Sequence, residues 1–212
     1  KYFSKQLFIK NKIRTPNYFF LNIKDFFNVN LNREIKKNKL KFPIVIKPND
    51  EGSSIGVKIC KTYLSLKRNF SILKKNYDNL IFETFIPGKE IQVAVIGGKA
   101  IGAIELRPRR EFYDYAAKYK KSSKTLHVMP AEISSKKYRE VLQIARKANK
   151  ALKCRGVVRC DFRFCKDKFF LLEVNTQPGM TSLSLVPEIA QYAKISFTKL
   201  VKWIVEDASL NR

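Results

Sequence analysis

The chain has 212 residues, of which 45% are hydrophobic and 12% aromatic, and this composition excludes disordered, collagen-like and low-complexity proteins. Its net charge of +25 is spread along the whole sequence with no nucleic-acid recognition motif, so specific nucleic-acid binding is not expected. Lysines interrupt every apolar run well before the about 20 residues of a membrane-spanning helix, and no signal-peptide block opens the chain, which predicts a cytoplasmic protein.

The first part of the chain contains both helix and strand signals. Thr62 stands where a helix N-cap is expected, and Leu66, Phe70 and Leu73 follow it on one helical face. The β-branched runs FPIVIK and VKIC indicate strands. We predict helices over 4–12 (N-cap Ser4), 25–39 and 62–75, and strands over 18–21, 42–47, 57–60 and 80–85.

The second part combines hairpins, a long loop and two amphipathic helices. Gly97 and Gly98 form a turn that tolerates positive φ, which predicts a hairpin of strands 91–96 and 100–106. Residues 107–131 have no stable period, and a loop of that length is usually functional. Further strands are predicted over 157–164 and 169–174, and helices over 134–154 and 196–208. In the last helix we expect the apolar residues to face inward: Phe197, Leu200, Val201, Ile204 and Val205.

Strands and helices do not alternate regularly, which favours an α+β fold with antiparallel sheets. The strongest local motif is VVRCDFRF followed by FFLLEVN. If this hairpin centres on Asp167, Asp161 lies opposite Glu173, and two facing carboxylates repel each other unless a cation lies between them. With the Asn175 amide oxygen they form a hard-oxygen set suited to magnesium. The alternative is a strand face whose charges are simply solvated.

The segment KPNDEGSSIG (47–56) resembles a phosphate-binding loop. Gly52 and Gly56 allow backbone amides to approach an anion, the serines add hydroxyl donors, and Lys47 adds a cation at the base of the loop. It differs from the Walker pattern because a strand, and not a helix, follows it. An ordinary glycine-serine turn is the alternative.

Two further motifs are weaker when taken singly. In IFETFIPGKEIQVAV, Glu83 and Glu90 flank a Pro-Gly turn and could bind a purine amino group and ribose hydroxyls, although surface acids are the usual explanation. In NTQPGMTSLSL, backbone amides and hydroxyls offer a carboxylate or oxyanion site beside the predicted metal, and an ordinary loop and N-cap is the alternative.

In this order, the four motifs resemble the D-alanine:D-alanine ligases, which have the ATP-grasp fold. The matching stretches are KFPIVIKPNDEGSSIGV, FYDYAAKY, VVRCDFRF and LLEVNTQPGMTSLSLVPEIA. The resemblance implies two α+β subdomains with antiparallel sheets that grip a nucleotide between them: a central subdomain over 1–90 and a C-terminal subdomain over 91–212 with the lid loop and metal site. It also implies an ADP-forming ligase of peptidoglycan precursor synthesis. ATP phosphorylates one D-alanine, and the amine of a second attacks the acyl phosphate.

The resemblance assigns each site residue a role. Lys5, Lys47 and Lys118 would contact ATP phosphates, and Glu83, Ile86, Glu90 and Phe112 would surround the nucleotide. Asp161, Glu173 and Asn175 would hold Mg²⁺, or Mn²⁺ in its place. Arg159 and the Gly179 amide would stabilise the oxyanion, Ser184 and Leu185 would bind the second substrate, and Ser53 and Tyr119 would latch the lid. Tyr119 also favours dipeptide over depsipeptide formation.

The chain departs from the family pattern at its start. Family members begin with a further domain that binds the first D-alanine, and nothing here corresponds to it, so we expect that domain to be required in cis or in trans. A homodimer is compatible with the sequence. The alternatives left open are another ATP-grasp carboxylate-amine ligase, an inactive truncated fragment, and a basic module that binds polyanions.

Overall fold

The computed structural model describes residues 1–24, 30–108, 125–181 and 183–209. In chain order, the described residues form these elements: α1 (Tyr2–Lys10), β1 (Tyr18–Asn22), α2 (Leu31–Lys37), β2 (Ile44–Pro48), β3 (Lys58–Cys60), α3 (Tyr63–Leu73), β4 (Asn79–Thr84), β5 (Lys89–Ile96), β6 (Lys99–Arg107), β7 (Leu126–Val128), α4 (Ser135–Ala151), β8 (Val157–Cys165), β9 (Lys168–Asn175), α5 (Leu185–Tyr192) and α6 (Phe197–Asp207). The predicted α+β class with antiparallel sheets is confirmed. No helix in these described ranges is long and apolar enough to cross a membrane.

The chain divides into two compact units. The first contains residues 1–3 and 16–86, and the second contains the described residues of 4–15 and 87–212. The predicted boundary after residue 90 differs from this division, because β5 already begins at Lys89 and belongs to the second sheet. Residues 4–15 join the second unit because Phe8 and Ile13 are buried in its core.

The first unit is a sheet of order β1-β4-β2-β3 with all neighbours antiparallel. One face is apolar and packs against α2 and α3, through residues such as Phe82, Leu66 and Leu73. Thr62 caps α3 as predicted, and it forms a capping box with Ser65. The opposite face carries the alternate residues of the same strands, including Lys47 and Glu83.

The second unit is a sheet of order β7-β6-β5-β8-β9, again antiparallel throughout. One face packs on α1 and α4, with Val93, Cys160 and Phe162 fully buried. The other face is divided: α5 packs over β5 and β6, whereas the part formed by β8 and β9 carries charged side chains. The predicted turn is confirmed, with φ of 53° at Gly97 and 77° at Gly98.

Three predicted elements need correction. Helix α1 begins at Tyr2, so Ser4 is not its N-cap; the Tyr2 backbone N–H instead donates to Asn49 Oδ1 at 2.8 Å, a partner distant in sequence. Strand β7 lies inside the predicted loop 107–131, because its backbone pairs with β6, the strand from which that loop departs. In α6 the predicted inward face is wrong: Leu200 is buried, but Phe197, Val201 and Val205 are exposed.

Candidate functional site

Lys47 and Glu83 form an ion pair on the sheet face of the first unit that lies away from its helices. Lys47 Nζ lies 2.5 Å from Glu83 Oε1, and the two residues are only 7% and 3% exposed. The strand register explains the contact, because Lys47 on β2 lies diagonally across from Glu83 on β4. A pair shielded from water in this way holds both charges in a defined place.

The glycine-serine loop, residues 49–56, connects β2 to β3. Three of its residues have positive φ: Ser53, Ser54 and Gly56. A turn within the loop is closed by the Ile55 backbone N–H, which donates to Gly52 O at 2.9 Å. A Cβ at Gly56 would lie 2.7 Å from the Pro48 ring, so glycine is required there for space as well as for φ. Gly52 has open space around its Cα, so that glycine is not sterically required.

Asp161 and Glu173 are paired directly across β8 and β9, as the sequence predicted. The pairing does not arise from a turn centred on Asp167, however. Cys165 pairs with Lys168, so the turn is centred between Lys166 and Asp167, and a regular ladder would place Leu172 opposite Asp161. A β-bulge at Asp161/Phe162 adds one residue on β9 and brings Glu173 onto the face of Asp161.

Asp161 already has two partners on this sheet face. Arg159 forms a bidentate contact with it, in which Nε donates to Oδ1 at 2.7 Å and Nη2 donates to Oδ2 at 2.9 Å. Asn175 Nδ2 also donates to Oδ2, at 3.1 Å. Asp161 is 7% exposed. The fork fixes the carboxylate in orientation and balances its charge, so the guanidinium of Arg159 is also fixed close to the acidic pair.

The donor set fits a hard divalent cation. Two carboxylates face each other, and a rotation of the Asn175 amide by half a turn presents its oxygen beside them. Within the described ranges, no group of three or more His, Cys, Asp or Glu side chains could hold a metal by itself. A cation bound here would therefore need oxygens from other sources as well, which is the usual situation for magnesium.

Glu90 lies beside this acidic pair, one row further along the sheet. It pairs in register with Arg163 on β8, and Arg163 Nη1 lies 3.2 Å from Glu90 Oε2. In the same unit, Lys5 of α1 is buried and its Nζ donates to Thr15 Oγ1 at 2.8 Å. Ile86 ends the first unit, directly after Phe85, whose backbone N–H donates to Pro43 O.

The segment that leads from β9 into α5 is compact around Ser184. Ser184 Oγ accepts from the Thr181 backbone N–H at 2.9 Å, and a Cβ at Gly179 would lie 2.8 Å from the same oxygen. The Gly179 backbone and the Ser184 hydroxyl therefore lie side by side, and Leu185 follows, buried in the first turn of α5. Phe112, Lys118 and Tyr119 lie outside the described residues, and their roles stay predictions.

A buried carboxylate that was not predicted lies on β6, next to Lys89 of β5. Glu105 is 2% exposed and contacts Lys89 Nζ at 2.9 Å and Arg107 Nε at 2.7 Å. Burial alone raises the pKa of Glu105, but the hydrogen bonds from Arg107 and Lys89 outweigh it and hold the pKa below its ordinary value. The alternation of Glu105 with Arg107 on β6 was the available signal.

A second missed contact joins the single histidine to α5. His127 Nδ1 lies 2.6 Å from Glu188 Oε2, so β7 is tied to the helix that follows Ser184. Gln92, which lies opposite Asp161 on β5, was also missed. Gln92 lies inside the motif IFETFIPGKEIQVAV and His127 lies in none, but each acquires its neighbours only when segments distant in the chain come together.

Known proteins resemble this chain over nearly its whole length. The family model described as D-ala D-ala ligase C-terminus matches residues 7–206. The D-alanine–D-alanine ligase of Pelagibacter ubique is 54% identical and aligns with 100% of this chain and 68% of its own length. The D-alanine–D-alanine ligase of Wolbachia pipientis subsp. Culex pipiens is 42% identical and aligns with 100% of this chain and 65% of its own length.

Solved structures agree with these relatives. A D-alanine–D-alanine ligase structure from Bacillus anthracis has a TM-score of 0.84 at 33% identity and covers 98% of this chain and 66% of that one. A second structure of that ligase, complexed with ATP, has a TM-score of 0.82 at 29% identity. The chain spans 68% and 65% of the length of these two curated relatives. The chain belongs to the family of the D-alanine–D-alanine ligase C-terminal region.

Proposed function

We propose that this chain provides the ATP- and metal-binding part of an enzyme that joins two D-alanines for peptidoglycan precursor synthesis in the cytoplasm. The observation that carries the proposal is the pairing of Asp161 with Glu173, beside Asn175 and the fixed Arg159 guanidinium. The relative that is 54% identical over the whole chain bears the name of this activity. Because the chain spans about two thirds of that relative, the activity belongs to the whole protein.

In the proposed reaction, a carboxylate oxygen of the first D-alanine attacks the terminal phosphorus of ATP, and ADP leaves. The amine of the second D-alanine then attacks the acyl carbon and loses a proton, and phosphate leaves as the peptide bond forms. Each step develops negative charge on oxygen, so fixed cations lower its barrier.

Residues of the second unit hold the groups of this reaction. Asp161, Glu173 and Asn175 would bind Mg²⁺ or Mn²⁺, which when present offsets the charge of the phosphates. Arg159, already fixed by Asp161, and the Gly179 amide would face the oxyanion. The Ser184 hydroxyl and the Leu185 backbone would bind the carboxylate of the second D-alanine, and Lys5 would contact phosphate.

Residues of the first unit bind nucleotide in this proposal. Lys47 would contact phosphate while Glu83 holds its ammonium in place, and Glu83 with Ile86 would contact adenine. Ser53, which adopts positive φ in the glycine-serine loop, would latch the lid with Tyr119. Glu90 of the second unit would bind the ribose, and Phe112 and Lys118 would act from the lid.

The test is a coupled assay of ADP and phosphate release. This chain is joined to the portion of the Pelagibacter ubique ligase that lies outside the match, because the match covers 68% of that ligase. We expect release that depends on D-alanine, with D-alanyl-D-alanine identified by mass spectrometry. Sedimentation of the same protein distinguishes a monomer from the homodimer with which the sequence is compatible.

Matched variants assign the activity to the site. Glu173→Gln and Arg159→Met should each lower kcat by about 10²-fold or more, because each removes charge from the reacting phosphate or oxyanion. Glu206→Gln, on the exposed α6, is the control and should keep full activity. Release that responds to another amino acid and ignores D-alanine would show a different acceptor. Salt-sensitive polyanion binding without turnover would favour the basic module.

A further inference from the structure

Gln92 on β5 is a buried polar residue with an unsatisfied oxygen. It is 1% exposed, and its Nε2 lies 3.5 Å from Glu90 Oε1, longer than an ordinary hydrogen bond. Its Oε1 has no hydrogen-bond partner among the described residues. Buried side-chain oxygens almost always have a partner in folded proteins, so this atom requires an explanation.

The strand register places Gln92 in line with the acidic pair. Gln92 on β5 lies opposite Asp161 on β8, and Asp161 lies opposite Glu173 on β9. Residues opposite each other on neighbouring strands share a sheet face, and the strands are about 4.8 Å apart. An amide and two carboxylates therefore form one row across three strands, with Asp161 in the middle; we call it the oxygen row.

Gln92 lies at the border between this oxygen row and an apolar surface. Its neighbour on the other side is Ile104 of β6. Helix α5 packs over this part of the sheet, where a Cβ at Gly102 would lie 2.8 Å from Ile189. An apolar side chain would fit such a border without leaving any polar atom unsatisfied. An amide with an unpaired oxygen indicates instead a polar ligand, and the polar neighbour of Gln92 across the strands is Asp161.

We propose that Gln92 belongs to the metal site, where its Oε1 accepts a hydrogen bond from a water molecule on the cation held by Asp161 and Glu173. This inference rests on the proposed function. Magnesium keeps several of its waters when few protein groups bind it, and those waters are strong hydrogen-bond donors. A neutral amide satisfies one of them without adding a third negative charge to the row.

The first test measures Mn²⁺ binding to the full chain, from the loss of the free-ion signal in electron paramagnetic resonance. The net charge of +25 disfavours unspecific cation binding, so the oxygen row dominates the signal. Gln92→Met keeps the length of the side chain and removes its oxygen. We expect its Kd for Mn²⁺ to rise about tenfold, while the metal-free thermal midpoint is unchanged or higher. Gln143→Met, exposed on α4, is the matched control and should bind as the unaltered chain does.

A second variant should increase the affinity for Mn²⁺ instead of reducing it. Gln92→Glu adds a third carboxylate to the oxygen row, so the metal-free midpoint should fall through like-charge repulsion. Its Kd for Mn²⁺ should decrease several-fold, and saturating Mn²⁺ should restore the midpoint. This gain would show that position 92 lies close to the bound cation, and the loss in Gln92→Met then tests whether the native amide uses that closeness.

The outcomes separate this inference from the proposed function. If Glu173→Gln weakens Mn²⁺ binding and Gln92→Met does not, the role of Gln92 is wrong and the proposed metal site stands. If neither substitution changes Mn²⁺ binding, or if the unaltered chain binds none, the role of Gln92 and the proposed metal site are both wrong, whereas the family membership of the chain stands. If both Gln92 variants lose stability and affinity together, Gln92 is structural and the inference is overturned.

Discussion

At the scale of single residues, the molecule places ionic groups where water is largely excluded. Lys47 and Glu83 form the clearest buried pair. Glu105 is a buried carboxylate whose partners, Lys89 and Arg107, are partly exposed. A buried charge is costly unless a partner of opposite charge compensates it, so each residue of such a pair depends on the other. Ion pairing holds the cationic groups in fixed positions. Under the proposed function, Lys47 would then meet phosphate without rearrangement.

The Lys47–Glu83 pair leads to a stability prediction. Lys47→Met leaves the Glu83 carboxylate buried without its ammonium partner and should lower the free energy of unfolding by about 3–5 kcal/mol. The double variant Lys47→Met, Glu83→Leu removes both charges and should be more stable than the single one. Urea unfolding of the three proteins measures this. A single-variant loss below about 1 kcal/mol would mean that the pair behaves like an exposed one.

Glu105 leads to a pH prediction. Its pKa in the folded chain lies below the ordinary value of 4.5, so the ionised group stabilises the fold at pH values above 4.5. That contribution is lost as the pH falls through the lowered pKa. Glu105→Gln should therefore be less stable than the unaltered chain at pH 7, and the difference should shrink as the pH falls below 4.5 and through the lowered pKa. Urea unfolding across this range tests it, with the exposed Glu206→Gln as control; a constant difference would contradict it.

At the scale of elements, two local irregularities determine which side chains reach the candidate site. The β-bulge at Asp161/Phe162 turns Glu173 onto the same face as Asp161. The glycine-serine loop bends sharply at Ser53, Ser54 and Gly56, where positive φ directs the backbone away from a regular hairpin. Both features disturb the regular pairing of strands, and such disturbances are common next to functional sites because they redirect side chains.

The glycine-serine loop contains two glycines that should respond differently to replacement by alanine, so Gly52 serves as the control for Gly56. Gly56→Ala forces a Cβ into contact with the Pro48 ring at positive φ and should lower the free energy of unfolding by about 1–3 kcal/mol. Gly52→Ala meets no atom within 4 Å and should change it by less than about 1 kcal/mol. Thermal unfolding of both variants compares them. Equal effects would mean that the loop does not hold the conformation described here.

At the scale of the whole molecule, the net charge of +25 is the dominant property. Lysines and arginines far outnumber the acidic residues, and long-range repulsion between them opposes the compact state. The repulsion is spread over the surface, whereas the acidic groups are concentrated in ion pairs and in the oxygen row. Exposed ion pairs such as Lys202 with Glu206 offset little of it.

This charge predicts how salt acts on stability. Raising NaCl from about 0.05 M to about 0.5 M shortens the screening length well below 10 Å, so repulsion between exposed lysines weakens. The thermal midpoint should rise by several degrees. The buried Lys47–Glu83 pair is screened much less and should not reverse the trend. A midpoint that falls with salt would show that exposed ion pairs outweigh the repulsion.

The sequence by itself determined the features that depend on residues close together in the chain. The Thr62 N-cap, the Gly97-Gly98 turn and the hairpin of β8 with β9 each need only a few consecutive residues, since caps, turns and strand alternation are local. The chemistry of the oxygen ligands and the resemblance to a ligase family were readable for the same reason, because the motifs are continuous.

Only the tertiary structure decided the features that join distant residues. Asn49 caps α1, Gln92 enters the oxygen row, and His127 contacts Glu188, although none of these partners is near in sequence. The apolar face of α6 likewise carried no sign that most of it would be exposed. Strand register, bulges and burial are set by the packing of segments from the whole chain, so a local pattern can name the residues of a site but not its complete membership.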